Sequence, residues 1–135
     1  MTTYEQLLAD CIRWAKEAGR IQLELFRSDR LDIEAKFNDS DVVTNADKAS
    51  EKAIISEIRR AYPEHSVLSE EAGCDKRMND WLWVIDPLDG TTNYSSGLPN
   101  FCVSIGVQHK GQTVVGVVYA PYLGEIFTAV RGKGA

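Results

Sequence analysis

The sequence is poor in the residues from which disulfide, zinc and charge-relay chemistry are built: 135 residues hold three cysteines and two histidines. Cys11, Cys74 and Cys102 are odd in number, far apart and without the paired spacing of a zinc site. A disulfide framework is therefore not expected, a reducing cytoplasm is, and each cysteine is expected to act as a small apolar side chain. His65 and His109 each lack a second ligand or a nucleophile at useful spacing, so zinc or Ser-His-Asp chemistry has little support and both rings are expected to be structural or superficial. There is no apolar run long enough to span a bilayer. The first residues carry Glu5, Asp10 and Arg13 in place of a basic stretch and an apolar run, so no secretory leader is expected. Nor is there a long basic run, and a net charge of -5 argues against nucleic acid or an anionic membrane as partner. Internal repeats and low-complexity linkers are absent as well, and the length suits one domain over residues 1–135.

What is present is a 44% apolar, 26% charged chain, able to bury a core of ordinary size. Residues 3–26 place Tyr4, Leu7, Leu8, Cys11, Ile12, Ala15, Ala18, Gln22 and Leu25 at helical spacing, with Thr2 or Thr3 as cap. Gly19 is either a tolerated weak spot in that helix or a close contact. Residues 31–37 alternate, with Leu31, Ile33, Ala35 and Phe37 on one side, which predicts a short half-buried strand. A second helix is predicted over 45–62, stopped by Pro63. Short strands are predicted at 65–69 and 81–85, with residues 73–80 a polar loop between them. Strands at 101–108 and 113–119, joined by a turn at 109–112, and a third at 125–130 complete the pattern. Short turns favour antiparallel pairing, so the expected class is α+β, with helices layered on an antiparallel sheet.

The chemistry concentrates in residues 83–94, WVIDPLDGTTNY. An apolar strand runs into Asp86 and Asp89, and two carboxylates ~4 Å apart repel by about 4 kcal/mol at an effective dielectric of ~20. A hard divalent cation such as Mg²⁺, which takes oxygen ligands and keeps several waters, suits Asp86, Asp89 and the Leu88 carbonyl. Gly90-Thr91-Thr92-Asn93 reads as a helix start whose free amides can seat an anion. By pattern alone the stretch could equally be a turn with a helix cap. Asp47, in the first turn of the second helix, could merely complement the helix dipole, and Glu70-Glu71 a solvated turn.

The twelve-residue string resembles the signature of the inositol monophosphatase family, which belongs to the Mg²⁺-dependent, lithium-sensitive phosphatase superfamily. The likeness extends to Lys36, to Val43-Thr44-Asn45-Ala46-Asp47, to Glu70-Glu71 and downstream from Leu98. It implies a helix-and-antiparallel-sheet fold and hydrolysis of a small phosphorylated polyol, inositol monophosphate first, by a homodimer. It also implies catalytic roles for Asp47, Glu70 and Thr91, with Asp47 paired to Thr91. Glu70, Asp86 and the Leu88 carbonyl would surround one Mg²⁺, and Asp86 and Asp89 part of a second. Asp89 and the amides of Gly90 and Thr91 would hold the phosphate, and residues 36–41 would form a flap. Members carry a second αβ half with a further metal-binding aspartate, which has no counterpart within 135 residues. The 135 residues are thus expected to be a weak catalyst that needs high Mg²⁺. Adenosine bisphosphate 3'-phosphatases and fructose bisphosphatases share the D-P-L-D-G-T string or near variants and remain alternatives. So does a non-catalytic, metal-binding dimerisation module.

Overall fold

A computed structural model describes residues 2–35 and 42–135. Helix α1 (Tyr4–Leu25) starts at a capping box, in which the Thr3 hydroxyl accepts from the Gln6 amide and the Gln6 side chain accepts from the Thr3 amide. Two of the helix's orphan donors are satisfied in this way. Its buried residues, Leu7, Cys11, Trp14, Ala15, Ala18, Gly19 and Gln22, recur at three- and four-residue intervals and line one face. After β1 (Ile33–Ala35) and β2 (Val42–Thr44), which pair antiparallel, α2 (Asn45–Ala61) begins at a second capping box formed by Thr44 and Asp47.

The remaining strands are β3 (Ser66–Ser69), β4 (Gly73–Asp75), β5 (Trp81–Asp89), β6 (Cys102–His109), β7 (Gln112–Ala120) and β8 (Glu125–Val130), with the short helix α3 (Thr91–Ser95) between β5 and β6. They form a six-stranded sheet in the order β4-β3-β5-β6-β7-β8. The fold is thus α+β, as expected, on a mostly antiparallel sheet. One pair departs from that expectation: β3 and β5 run parallel, because the intervening chain turns back through the antiparallel edge strand β4 and then returns to enter on the other side of β3 in the same direction. Both long helices pack on one face of the sheet, where Leu7, Trp14, Ile54, Ile58, Trp83, Ile105, Val107 and Val117 make the main core. Burial of side chains of this size stabilises by roughly 1.5–3 kcal/mol each. A smaller apolar cluster, Ala46, Leu88, Tyr94 and Phe101 with Leu25, Phe26 and Leu31 against it, lies beneath the end of β5.

Several sequence expectations need correction. Residues 73–80 are not all loop, since Gly73–Asp75 form an exposed edge strand on β3 whose polar composition hid it. Cys74 sits exposed on that edge and is not a packed apolar residue, whereas Cys11 is buried. Ile33, expected on a half-buried face, is 51% exposed. The strand predicted at 81–85 continues to Asp89, because a bulge between Asp86 and Asp89 absorbs Pro87, which has no N–H to give the ladder. The β6–β7 turn is shorter than predicted: Lys110 and Gly111 both take positive φ, 52° and 78°, the two-residue geometry that matches strand twist. Gly19 is a close contact, for a Cβ there would lie 2.4 Å from Cε2 of Tyr119. The proposed flap at residues 36–41, with Lys36, lies outside the described residues.

Candidate active site

Three elements meet where β5 ends. α2 presents Asp47 from its first turn because Thr44 ends β2 and caps the helix. The Asp47 carboxylate accepts from the Thr44 amide at 2.9 Å and from the Thr44 hydroxyl at 2.6 Å, both through Oδ2. This leaves Oδ1 for the hydroxyl of Thr91, which donates to it at 2.8 Å across 44 residues of chain. The Leu88 carbonyl lies 3.1 Å from the same hydroxyl. A hydroxyl has one proton, and the ionised carboxylate is the stronger acceptor, so the proton points at Asp47 and the lone pairs of Thr91 turn away from it. Asp47 is only 2% exposed, which makes it a buried, triply hydrogen-bonded carboxylate and not just a dipole complement.

Gly90 makes this junction possible. Its φ is 91°, and a Cβ would sit 2.7 Å from the Asn100 carbonyl oxygen, so the sharp passage from β5 into α3 admits no side chain. Leu88 is buried in the smaller apolar cluster, with its carbonyl turned towards Thr91, while Asp89 is exposed.

Asp86 is the least satisfied group of the site. Its Oδ1 is buried with no hydrogen-bond partner. Burial first, and then the charges of Glu70, Asp89 and Asp47, push its carboxyl up to about 6. Glu70 reaches this neighbourhood from the turn after β3, which Glu51 of α2 holds in place. Oε2 of Glu51 accepts from the Ser69 hydroxyl at 2.6 Å and from the amides of Glu71 and Ala72 at 3.2 and 3.0 Å. The Glu70 amide donates to the Ile85 carbonyl at 3.2 Å, which docks the turn beside Asp86. Glu51 went unnoticed in the sequence, although its i+4 spacing from Asp47 on α2 was the available signal.

Glu70, Asp86 and Ser104 line an open cleft of about 460 Å³. A larger one, about 810 Å³, lies among Lys76, Arg77, Met78, Trp81 and His109 at the opposite ends of β5 and β6, and touches none of these groups. Among the described residues no three His, Cys, Asp or Glu side chains converge closely enough to cage a metal by themselves. The donor set nonetheless fits Mg²⁺, which is held by one or two carboxylates and keeps its waters. An orphaned carboxylate oxygen with three acidic neighbours is a group that a cation would satisfy. Cys102 pairs with Asp89 across the strands, and burial together with the Asp89 and Asp86 charges pushes its thiol up to about 11, so it carries no thiolate at neutral pH. His65 and His109 stack on either side of Trp81, away from the site, and neither meets a nucleophile.

A protein from Pasteurella multocida called Nus factor SuhB is 51% identical over 131 residues, covering 96% of this chain and 49% of its own length. The crystal structure of the extragenic suppressor protein suhB from Bartonella henselae superposes with a TM-score of 0.88 at 35% identity, over 93% of this chain and 49% of that one. An IMPase/NADP phosphatase complexed with Mg²⁺ and phosphate superposes with a TM-score of 0.85 at 26% identity, over 98% of this chain and 51% of that one. The chain therefore spans about half the length of the curated relatives it matches. The sequence model of the inositol monophosphatase family matches residues 3–135, and the chain belongs to that family.

Proposed function

We propose that this chain carries the water-activating and phosphate-handling part of a Mg²⁺-dependent phosphomonoesterase whose substrate is a small phosphorylated polyol, inositol monophosphate first. The observation that supports it most is the Thr91–Asp47 hydrogen bond set beside the unsatisfied Asp86. Glu70, Asp86, Asp89 and the Leu88 carbonyl would hold Mg²⁺, which when bound lowers the pKa of water and offsets charge on phosphate and leaving-group oxygens. The chain's own residues do the rest. Asp47 fixes the Thr91 rotor, so that a water placed over the cleft donates a hydrogen bond to the Thr91 oxygen; as the water attacks, its proton passes to Thr91 Oγ1 while the Thr91 hydroxyl proton passes to Asp47 Oδ1. The amides of Gly90 and Thr91 at the start of α3 bind phosphate oxygens, and their fixed dipoles stabilise charge that develops in the transition state.

The test, run on these residues joined to a second αβ half, is phosphate release from inositol 1-phosphate, NADP, an adenosine 3',5'-bisphosphate and fructose 1,6-bisphosphate across a Mg²⁺ titration. Release is expected to require Mg²⁺ and to be fastest with inositol 1-phosphate. Thr91→Ala should lower kcat by about 10²–10⁴ with little change in KM, since the backbone amide survives. Wild-type turnover in Thr91→Ala, or no Mg²⁺-dependent release from any of the four, would sink the reading. A second reading rests on the name Nus factor SuhB, borne by the Pasteurella relative: that the fold works through contacts with other macromolecules. It is favoured if all four substrates survive intact.

A further inference from the structure

Gln22 is fully buried on α1, in a row of apolar residues, and its sequence context gives it a packing role. Its hydrogen bonds say otherwise. Nε2 donates to the Pro87 carbonyl at 2.6 Å and to the Ser50 hydroxyl at 3.1 Å. The Gln22 backbone carbonyl accepts from the Tyr94 hydroxyl at 2.7 Å. The amide orientation is not arbitrary, because a carbonyl such as that of Pro87 can only accept and must therefore face the NH₂ end. Pro87 and Tyr94 bracket residues 88–93, the segment that contains Asp89, Gly90 and Thr91, and Ser50 lies one turn beyond Asp47 on α2. One residue of α1 is thus tied to both ends of the site segment and to the helix that carries Asp47. Pro87 sits in the bulge, where the register to β6 is interrupted between Asp86 and Asp89 and Pro87 faces no paired residue.

We propose that Gln22 is a positioning residue that sets the direction of the Asp86–Asp89 bulge relative to the Asp47 turn, and so sets the geometry of the acidic donors. The assignment of those donors to a cation rests on the function proposed above, whereas the clamp on the segment does not. Outer partners of ligating groups change metal affinity by about 10–100-fold when removed. Gln22→Met keeps length and apolar volume but removes the donor to the Pro87 carbonyl, together with a buried Oε1 that has no partner.

The experiment has two arms on the purified chain. In the first, amide hydrogen exchange without metal compares wild type, Gln22→Met and Val107→Ala, a core variant remote from the site. Gln22→Met is expected to raise exchange at residues 88–94 at least tenfold more than Val107→Ala does. In the second, Mn²⁺ binding is followed by electron paramagnetic resonance, Mn²⁺ serving as the oxygen-seeking stand-in for Mg²⁺. Gln22→Met should weaken it by at least tenfold, and Val107→Ala should leave it unchanged. Should Gln22→Met not fold, Tyr94→Phe, which removes one hydroxyl and one end of the clamp, is expected to show the same two effects at smaller amplitude. Exchange at 88–94 that matches the Val107→Ala control overturns the clamp. Raised exchange with undiminished Mn²⁺ affinity overturns the positioning of the donors. Wild type that binds no Mn²⁺ refutes the metal-dependent function proposed above, and the exchange arm still decides for or against the clamp.

Discussion

Individual side chains differ here in how far their neighbours constrain their charge. His65 lies between Tyr62 and Trp81, and its Nδ1 accepts from Nε1 of Trp83 at 3.0 Å, an arrangement open only to the neutral ring. Burial lowers its pKa from the ordinary 6.5, Arg59 and His109 lower it further, and Glu64 opposes them. The sign follows: the unfolded chain takes up this proton at higher pH than the folded protein does. Stability contributed by neutral His65 is complete above about pH 6.5, falls as the pH drops below it, and levels off once the folded ring is also protonated. Melting temperatures measured between about pH 7 and 5 should show this slope in wild type and a flatter one in His65→Phe. That variant should also lose about 1–3 kcal/mol for the unpaired Trp83 N–H. Equal slopes would show that His65 does not titrate across this range.

At the scale of elements, α1 approaches the sheet closely because Gly19 has no side chain. Tyr119 of β7 and Pro121 fill the space that a side chain would take. Gly19→Val is therefore expected to destabilise by about 1–3 kcal/mol through overpacking, read as a lower urea midpoint. An unchanged midpoint would mean that α1 can back away from β7 without loss. The helices themselves were legible in sequence because the apolar period of α1, its threonine cap and the stop of α2 at Pro63 are local signals, whereas the capping box of Thr44 with Asp47 was seen only in the structure. Strand β4 was not legible: three exposed residues with no alternation become a strand only because β3 offers an open edge.

For the whole molecule, the acidic site and the fold should be linked through a bound cation. A ligand that binds only the native state adds RT ln(1 + [L]/Kd), about 2.7 kcal/mol at a hundredfold excess over Kd. Millimolar Mg²⁺ is therefore expected to raise the melting temperature, and Asp86→Asn to abolish most of the rise. The metal-free Asp86→Asn protein should melt at least as high as wild type, because the variant relieves a buried carboxylate surrounded by like charges. No shift with Mg²⁺ in wild type would remove the metal from the account. The sequence by itself determined the two helices, the α+β class and the identity of the acidic segment, since helical period, capping residues and the string from Trp83 to Tyr94 act over short distances along the chain. Only the tertiary structure decided that β3 and β5 run parallel, that Glu51 holds the turn carrying Glu70, and that Gln22 leaves its apolar row to grip Pro87. These contacts join residues 16 or more positions apart, and their partners depend on packing and leave no periodic trace in the order of amino acids.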